Sequence, residues 1–236
     1  MDIDEKKKIN FRNFVNSNNN FVFHNYKNKN GSNQWNIICS CMDWIDVAIR
    51  SFIHISQTPE LNADIAVRTM QIYSLISSID IVFEAIKQLH RIFVDKDTMP
   101  FSGDKECFKK RLFDKEDDNS YFKSIRASFG AHPVDIRQPG NKYFASWPND
   151  FGEEMFVRLY REKNGEEDLV MPLSFGDLTS FLIKRYNYLD DIGKEISGLY
   201  NEYKKDFAAI PIMKKSDKLE QLNILKDQKF YGIHRL

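Results

Sequence analysis

From Trp35 to about Ser56, Ile37, Ile38, Cys41, Trp44, Ile45, Ala48, Ile49 and Phe52 recur at steps of three and four residues, the period of one helix face. Ser56-Gln-Thr-Pro59 closes that helix, and Pro59 suits the first turn of the next. Residues 60 to about 94 repeat the pattern from Leu61 and Ile65 through Ile79, Val82, Phe83 and Ile86 to Phe93, without a Gly or Pro between Leu61 and Val94. About 30 helical residues span roughly 45 Å, so the two segments make a long antiparallel hairpin. Asp80 and Glu84 lie one turn apart on the second helix, where they either face water or orient a cation on a neighbouring element.

The stretch from 95 to 118 reads as a charged connector, with a short helix expected around Cys107, Phe108, Leu112 and Phe113. Its basic triplet Lys109-Lys110-Arg111 can approach phosphates or form a solvated face, and the acidic run Asp114 to Asp118 weakens its field. Asn119 or Ser120 can cap the following helix, which turns Tyr121, Phe122, Ile125 and Phe129 inward and ends near 130 to 132, before Pro133. After Pro139-Gly140 come short runs rich in Phe, Tyr, Val and Leu, at 142 to 147, 155 to 161 and 168 to 173. Asn164-Gly165 between the last two is a hairpin signal. Residues 141 to 173 are therefore expected to form a small antiparallel β insertion of two or three strands. Its Tyr143, Phe144 and Trp147 can stack on bases or pack the sheet on the bundle; packing is expected, because a small sheet needs one buried face. One long helix, capped by Ser174, should run to about 208, break at Ile210-Pro-Ile212 and give way to a shorter helix over 216 to 230.

The fold class expected is mainly α: an antiparallel helical bundle with a small antiparallel β insertion. Residues 1 to 36 contain eleven Asn and read largely as loop, an Asn-rich arm with a short helix from Ile9 to Val15 and a strand or anchor at Phe21 to Phe23. Its apolar residues suggest a packed arm. The main helical domain covers 37 to 208, and 209 to 236 forms a mildly basic helical tail.

The 236 residues hold 34 basic and 34 acidic side chains, which argues against a broadly basic nucleic-acid coat while leaving room for a local phosphate-binding cleft. Cys39, Cys41 and Cys107 make no disulfide framework and read as reduced thiols. No second Cys/His pair completes a metal site, and Gly-rich nucleotide motifs are absent, so no metal or cofactor is expected. The N-terminus has no apolar leader and no run of about 18 apolar residues occurs, so a cytoplasmic protein without a membrane span is expected.

The most pointed chemistry lies in Arg126-Ala-Ser-Phe-Gly-Ala-His132. On an ideal helix a six-residue step turns through roughly 600° and rises about 9 Å, leaving the two side chains on a shared edge. The helix end at Gly130 to Pro133 frees the imidazole to swing toward the guanidinium. His132 suits acid/base work near neutral pH, and Arg126 suits binding a phosphate and the charge developing on it. In the alternative, His132 merely ends the helix and Arg126 pairs with a carboxylate such as Asp135.

This Arg, five intervening residues and His, at a helix end in a helical chain, resembles the R-x(4 to 6)-H signature of the HEPN superfamily, many of whose members are metal-independent ribonucleases. The resemblance implies a HEPN-like domain over about 37 to 208 and a homodimer whose Arg126/His132 pairs form one RNA-cleaving cleft. It also implies a role in phage defence or in a toxin-antitoxin system, with an antitoxin or another defence protein as partner. The competing expectation is a non-catalytic helical module for dimerisation or protein interaction.

Overall fold

The computed structural model describes residues 3–29, 31–57, 64–112, 116–131, 134–138, 141–147, 155–163, 165, 167–209 and 214–231. His132, Pro59, Phe113, Asn164 and the break at 210 to 212 lie outside them.

Helices α1 (Lys6–Ser17), α2 (Asn19–Tyr26), α3 (Gln34–Gln57) and α4 (Ile65–Phe93) come first. The periodic segments become α3 and α4, which run antiparallel. The Ser78 hydroxyl donates to Ser51 at 3.1 Å, while Cys41, near the other end, feels the charge of Arg91. The α4 start is capped by Asp64, whose carboxylate accepts from the Ala66 and Val67 N–H groups. By length and composition α4 could cross a membrane, yet its apolar side, including Ile72, Ile79, Val82, Phe83 and Ile86, is buried inside the bundle.

The Asn-rich arm is helical, not largely loop. Phe11 and Val15 of α1 and Val22 and Tyr26 of α2 fall at four-residue steps and are buried in the same core as α3 and α4. That burial outweighs the local preference of Asn for turns. The asparagines instead serve helix geometry: the Asn18 and Asn25 side chains donate to the Phe14 and Phe21 carbonyls, four residues back.

No helix forms between 95 and 112. Asp118 organises this stretch instead, accepting from the Glu106 and Cys107 N–H groups at 3.0 Å and from Arg111 Nη2 at 2.5 Å. Asp118 is thus fully buried, and Arg111 turns inward, away from the basic triplet. Next is α5 (Asp118–Arg126), whose cap is Asp117 and not Asn119 or Ser120: its carboxylate accepts from Ser120 N at 2.8 Å.

Strands β1 (Ile136–Gln138), β2 (Asn141–Ser146), β3 (Met155–Arg161) and β4 (Leu169–Leu173) form an antiparallel sheet in sequential order, one strand more than the insertion expected. In register, Ile136 faces Tyr143, Tyr143 faces Arg161 and Val157 faces Met171. Val157, Leu159, Met171 and Leu173 are buried, whereas Arg158, Tyr160 and Val170 are exposed, the alternation of a sheet with one covered face. Gly165 takes φ +86° in the loop between β3 and β4, a conformation that favours glycine.

The long final helix is two: α6 (Phe175–Asn187) and α7 (Leu189–Ala208), followed by α8 (Lys218–Tyr231). Ser174 caps α6, accepting from Asp177 N. The break falls at Tyr188, whose hydroxyl meets His90 and whose ring packs on Phe101; Asp190 and Asp191 then favour a new N-terminus. At the centre, Phe122 and Phe181 stack at 4.4 Å with Phe83 edge-on to Phe181, tying α4, α5 and α6 together.

Candidate functional site

Arg126 closes α5. From Ala127 to Ala131 the chain winds as a π-helical turn and not as the ideal α-helix expected to continue from Arg126. Packing accounts for the change. Phe129 is buried and meets Trp147 edge-on at 5.1 Å, which draws the turn under the sheet. On the other side Gly130 lies against Tyr73 of α4: a Cβ at this position would stand 2.5 Å from the Tyr73 ring.

The guanidinium pairs with α4, not with Asp135. Arg126 Nε stands 2.8 Å from Asp80 Oδ2; the Arg126 side chain is 48% exposed and that of Asp80 only 15%. A carboxylate fixed in the helix wall therefore holds a cation that still reaches solvent. Burial pushes the Asp80 carboxyl above its ordinary range, against the pull of Arg126 and with the added push of Glu84. Glu84 itself bonds Lys87, and Asp135 lies within 3.6 Å of Lys142. Arg126 and Asp80 thus come together; His132 lies outside the described residues.

The aromatics of the β insertion are chiefly packing groups. Tyr143 is buried, Trp147 rests on the core, and half-buried Phe144 lies under Lys142 Nζ at 5.2 Å.

A second cluster was hidden in the sequence. Arg185 is fully buried, its guanidinium carbon 3.5 Å from the Phe181 ring centre and its Nη2 donating to Asn119 Oδ1 at 2.7 Å. Burial lowers its pKa and raises that of the neighbouring Cys107 thiol to about 11, so this cysteine is a poor nucleophile. The signal was Arg185 standing four residues after Phe181, inside the apolar stripe of its helix. The cluster ties α5, α6 and the 104–112 stretch together and has no exposed reacting group.

Beside it opens a cleft of about 710 Å³, lined by Glu106, Lys109 and Lys110, the end of the sheet and the first turn of α6. Asp177 accepts from Lys109 N at 3.2 Å and occupies that helix start. The three cysteines are free. Among the described residues no group of three His, Cys, Asp or Glu side chains is placed to hold a metal ion.

No family model, no curated protein and no solved structure matches the chain.

Proposed function

We propose that the chain is a metal-independent, HEPN-like endoribonuclease in which Arg126 stabilises the phosphate, His132 takes the 2′-hydroxyl proton and Asp80 positions Arg126. The supporting observation is the Asp80–Arg126 pair at the π-turn: a half-exposed guanidinium, held by a carboxylate that burial keeps out of solvent. A guanidinium has five N–H donors in a fixed plane, so anchoring at Nε orients the fork toward a phosphate. The 2′-oxygen attacks phosphorus, the bond to the 5′-oxygen breaks, and that oxygen gains a proton from water. The products are a 2′,3′-cyclic phosphate and a 5′-hydroxyl, and no metal is required. In this reading two copies pair in the cytoplasm to form one cleft, in phage defence or as a toxin held by an antitoxin.

The experiment is cleavage of transfer and total RNA in EDTA. Wild type should yield cyclic-phosphate ends, and Arg126→Ala and His132→Ala should each lose about 10²-fold or more. Asp80→Asn should lower kcat by about tenfold, the size of effect a misplaced catalytic group gives, with KM little changed. A folded wild type that cleaves neither substrate moves the assignment to a helical interaction module. The exposed Trp44, Val47, Met70 and Tyr73 on α3 and α4 favour that second reading.

A further inference from the structure

Between Glu5 and Asp43 the chain has no acidic residue, while Lys6, Lys7, Lys8, Arg12, Lys27 and Lys29 all fall within that interval. In a chain with equal numbers of basic and acidic residues, this gathers positive charge on the first elements. The fold neutralises three of them: Lys7 pairs with Asp190, Lys8 with Asp46 and Arg12 with Asp43. Lys27 and Lys29, just past α2, are exposed and lie over ring faces. Lys27 Nζ is 4.9 Å from the Phe23 centroid, and Lys29 Nζ is 4.6 Å from that of Tyr26.

Phe23 is half-buried and stands outside the hydrophobic core, with Trp35, also half-buried, edge-on to it at 5.7 Å. Buried Phe21 packs α2 on Tyr200 of α7 at 5.3 Å, and on that half-buried tyrosine Lys204 Nζ lies 4.1 Å above the ring. Glu202 and Asp206 flank Lys204, so α7 adds ring surface and the α2 end adds the charge. Ring faces covered by flexible ammonium groups match the chemistry of a single strand. A base takes the ring face, and the displaced ammonium moves to the adjoining phosphate.

We propose that the end of α2 is a docking surface for single-stranded RNA, in which Phe23 and Trp35 stack bases and Lys27 and Lys29 hold the flanking phosphates. The proposal rests on the ribonuclease reading for RNA as the anion and names where the strand is held away from Arg126. Its test is fluorescence anisotropy with a labelled 2′-O-methyl oligouridylate of about 12 nucleotides, within the usual site size for a single strand. The 2′-O-methyl group blocks attack by the 2′-oxygen, so binding is read without cleavage.

Wild type should bind, and its affinity should fall with salt. Lys27→Glu/Lys29→Glu should weaken binding by tenfold or more and flatten the log–log salt slope by about 1.4, the share of two phosphates. Phe23→Ala should weaken binding by about tenfold and leave the slope unchanged. Circular dichroism matching wild type shows both variants folded, as expected for side chains outside the core. Absence of binding by wild type, or equal binding by both folded variants, overturns the proposal. So does binding of phosphatidylserine vesicles that depends on Lys27 and Lys29 while oligouridylate binding does not. A chain that binds as described but cleaves no RNA overturns the ribonuclease reading alone.

Discussion

Asp118 closes an acidic run, yet its side chain has no solvent exposure. Burial works to raise its pKa; the Cys107 and Glu106 N–H groups and Arg111 outweigh that and hold it below the ordinary carboxylate range. A carboxylate with a depressed folded pKa stabilises the fold fully above its unfolded value, near 3.9, and loses that contribution as pH falls from there through the lower folded value. Removing it strands the Glu106, Cys107 and Phe108 N–H groups and leaves the nearly buried Arg111 without its carboxylate. Asp118→Ala should therefore cost about 3–5 kcal/mol, measured by urea unfolding at pH 7. A cost under about 1 kcal/mol, the usual worth of an exposed pair, would mean that water satisfies those donors and that Asp118 does not organise the connector. The sequence carried no mark of this role, because nothing in a charge run says which carboxylate is to be buried.

His90 links the end of α4 to the junction between α6 and α7. Its Nδ1 lies 2.9 Å from the Tyr188 hydroxyl and its Nε2 3.0 Å from Thr98 Oγ1. Burial lowers its pKa, although Asp95 pulls the other way. The unfolded chain therefore takes up this proton first as the pH drops. Stability should be full above about pH 6.5, the unfolded value, and should fall as the solution is acidified through it. Tm measured between pH 8 and pH 5 should show this slope, and His90→Gln should flatten it while lowering Tm at pH 8. An unchanged slope in the variant would place the titration elsewhere. Helices α3 and α4 were legible because their apolar residues keep the helical period through many turns, which only a buried face requires. Helices α1 and α2 were obscured by asparagines whose side chains bond carbonyls inside the helices. The single long helix after the sheet was too simple because Tyr188 halts α6 through contacts with His90 and Phe101, both remote in sequence. At the candidate site, Arg126 and Asp80 could be singled out from residue type and spacing. The π-turn could not, since it depends on Gly130 meeting Tyr73 and Phe129 meeting Trp147.

One hydrophobic cluster extends from α1 through the sheet to α7, so the arm, the bundle and the insertion share a core. Among the apolar side chains left exposed are Trp44, Val47, Met70 and Tyr73 of the α3–α4 hairpin, at 53%, 48%, 59% and 39%. Asp80 lies two helical turns beyond Tyr73 on the same face of α4, and Tyr73 abuts the π-turn that follows Arg126. Exposed apolar side chains along this hairpin, with a half-exposed guanidinium beside it, suit a second copy of the chain, since pairing there would bury them and bring two Arg126 side chains toward one cleft. Light scattering should then report a dimer at micromolar concentration. Trp44→Glu/Met70→Glu, which places unpaired charge in that contact, should give a monomer with an unchanged circular dichroism spectrum and about tenfold or greater loss of RNA cleavage. Loss of the dimer without loss of cleavage would put the whole reaction within one chain. A wild-type monomer that still cleaves would do the same, and would leave the exposed aromatic face to another partner.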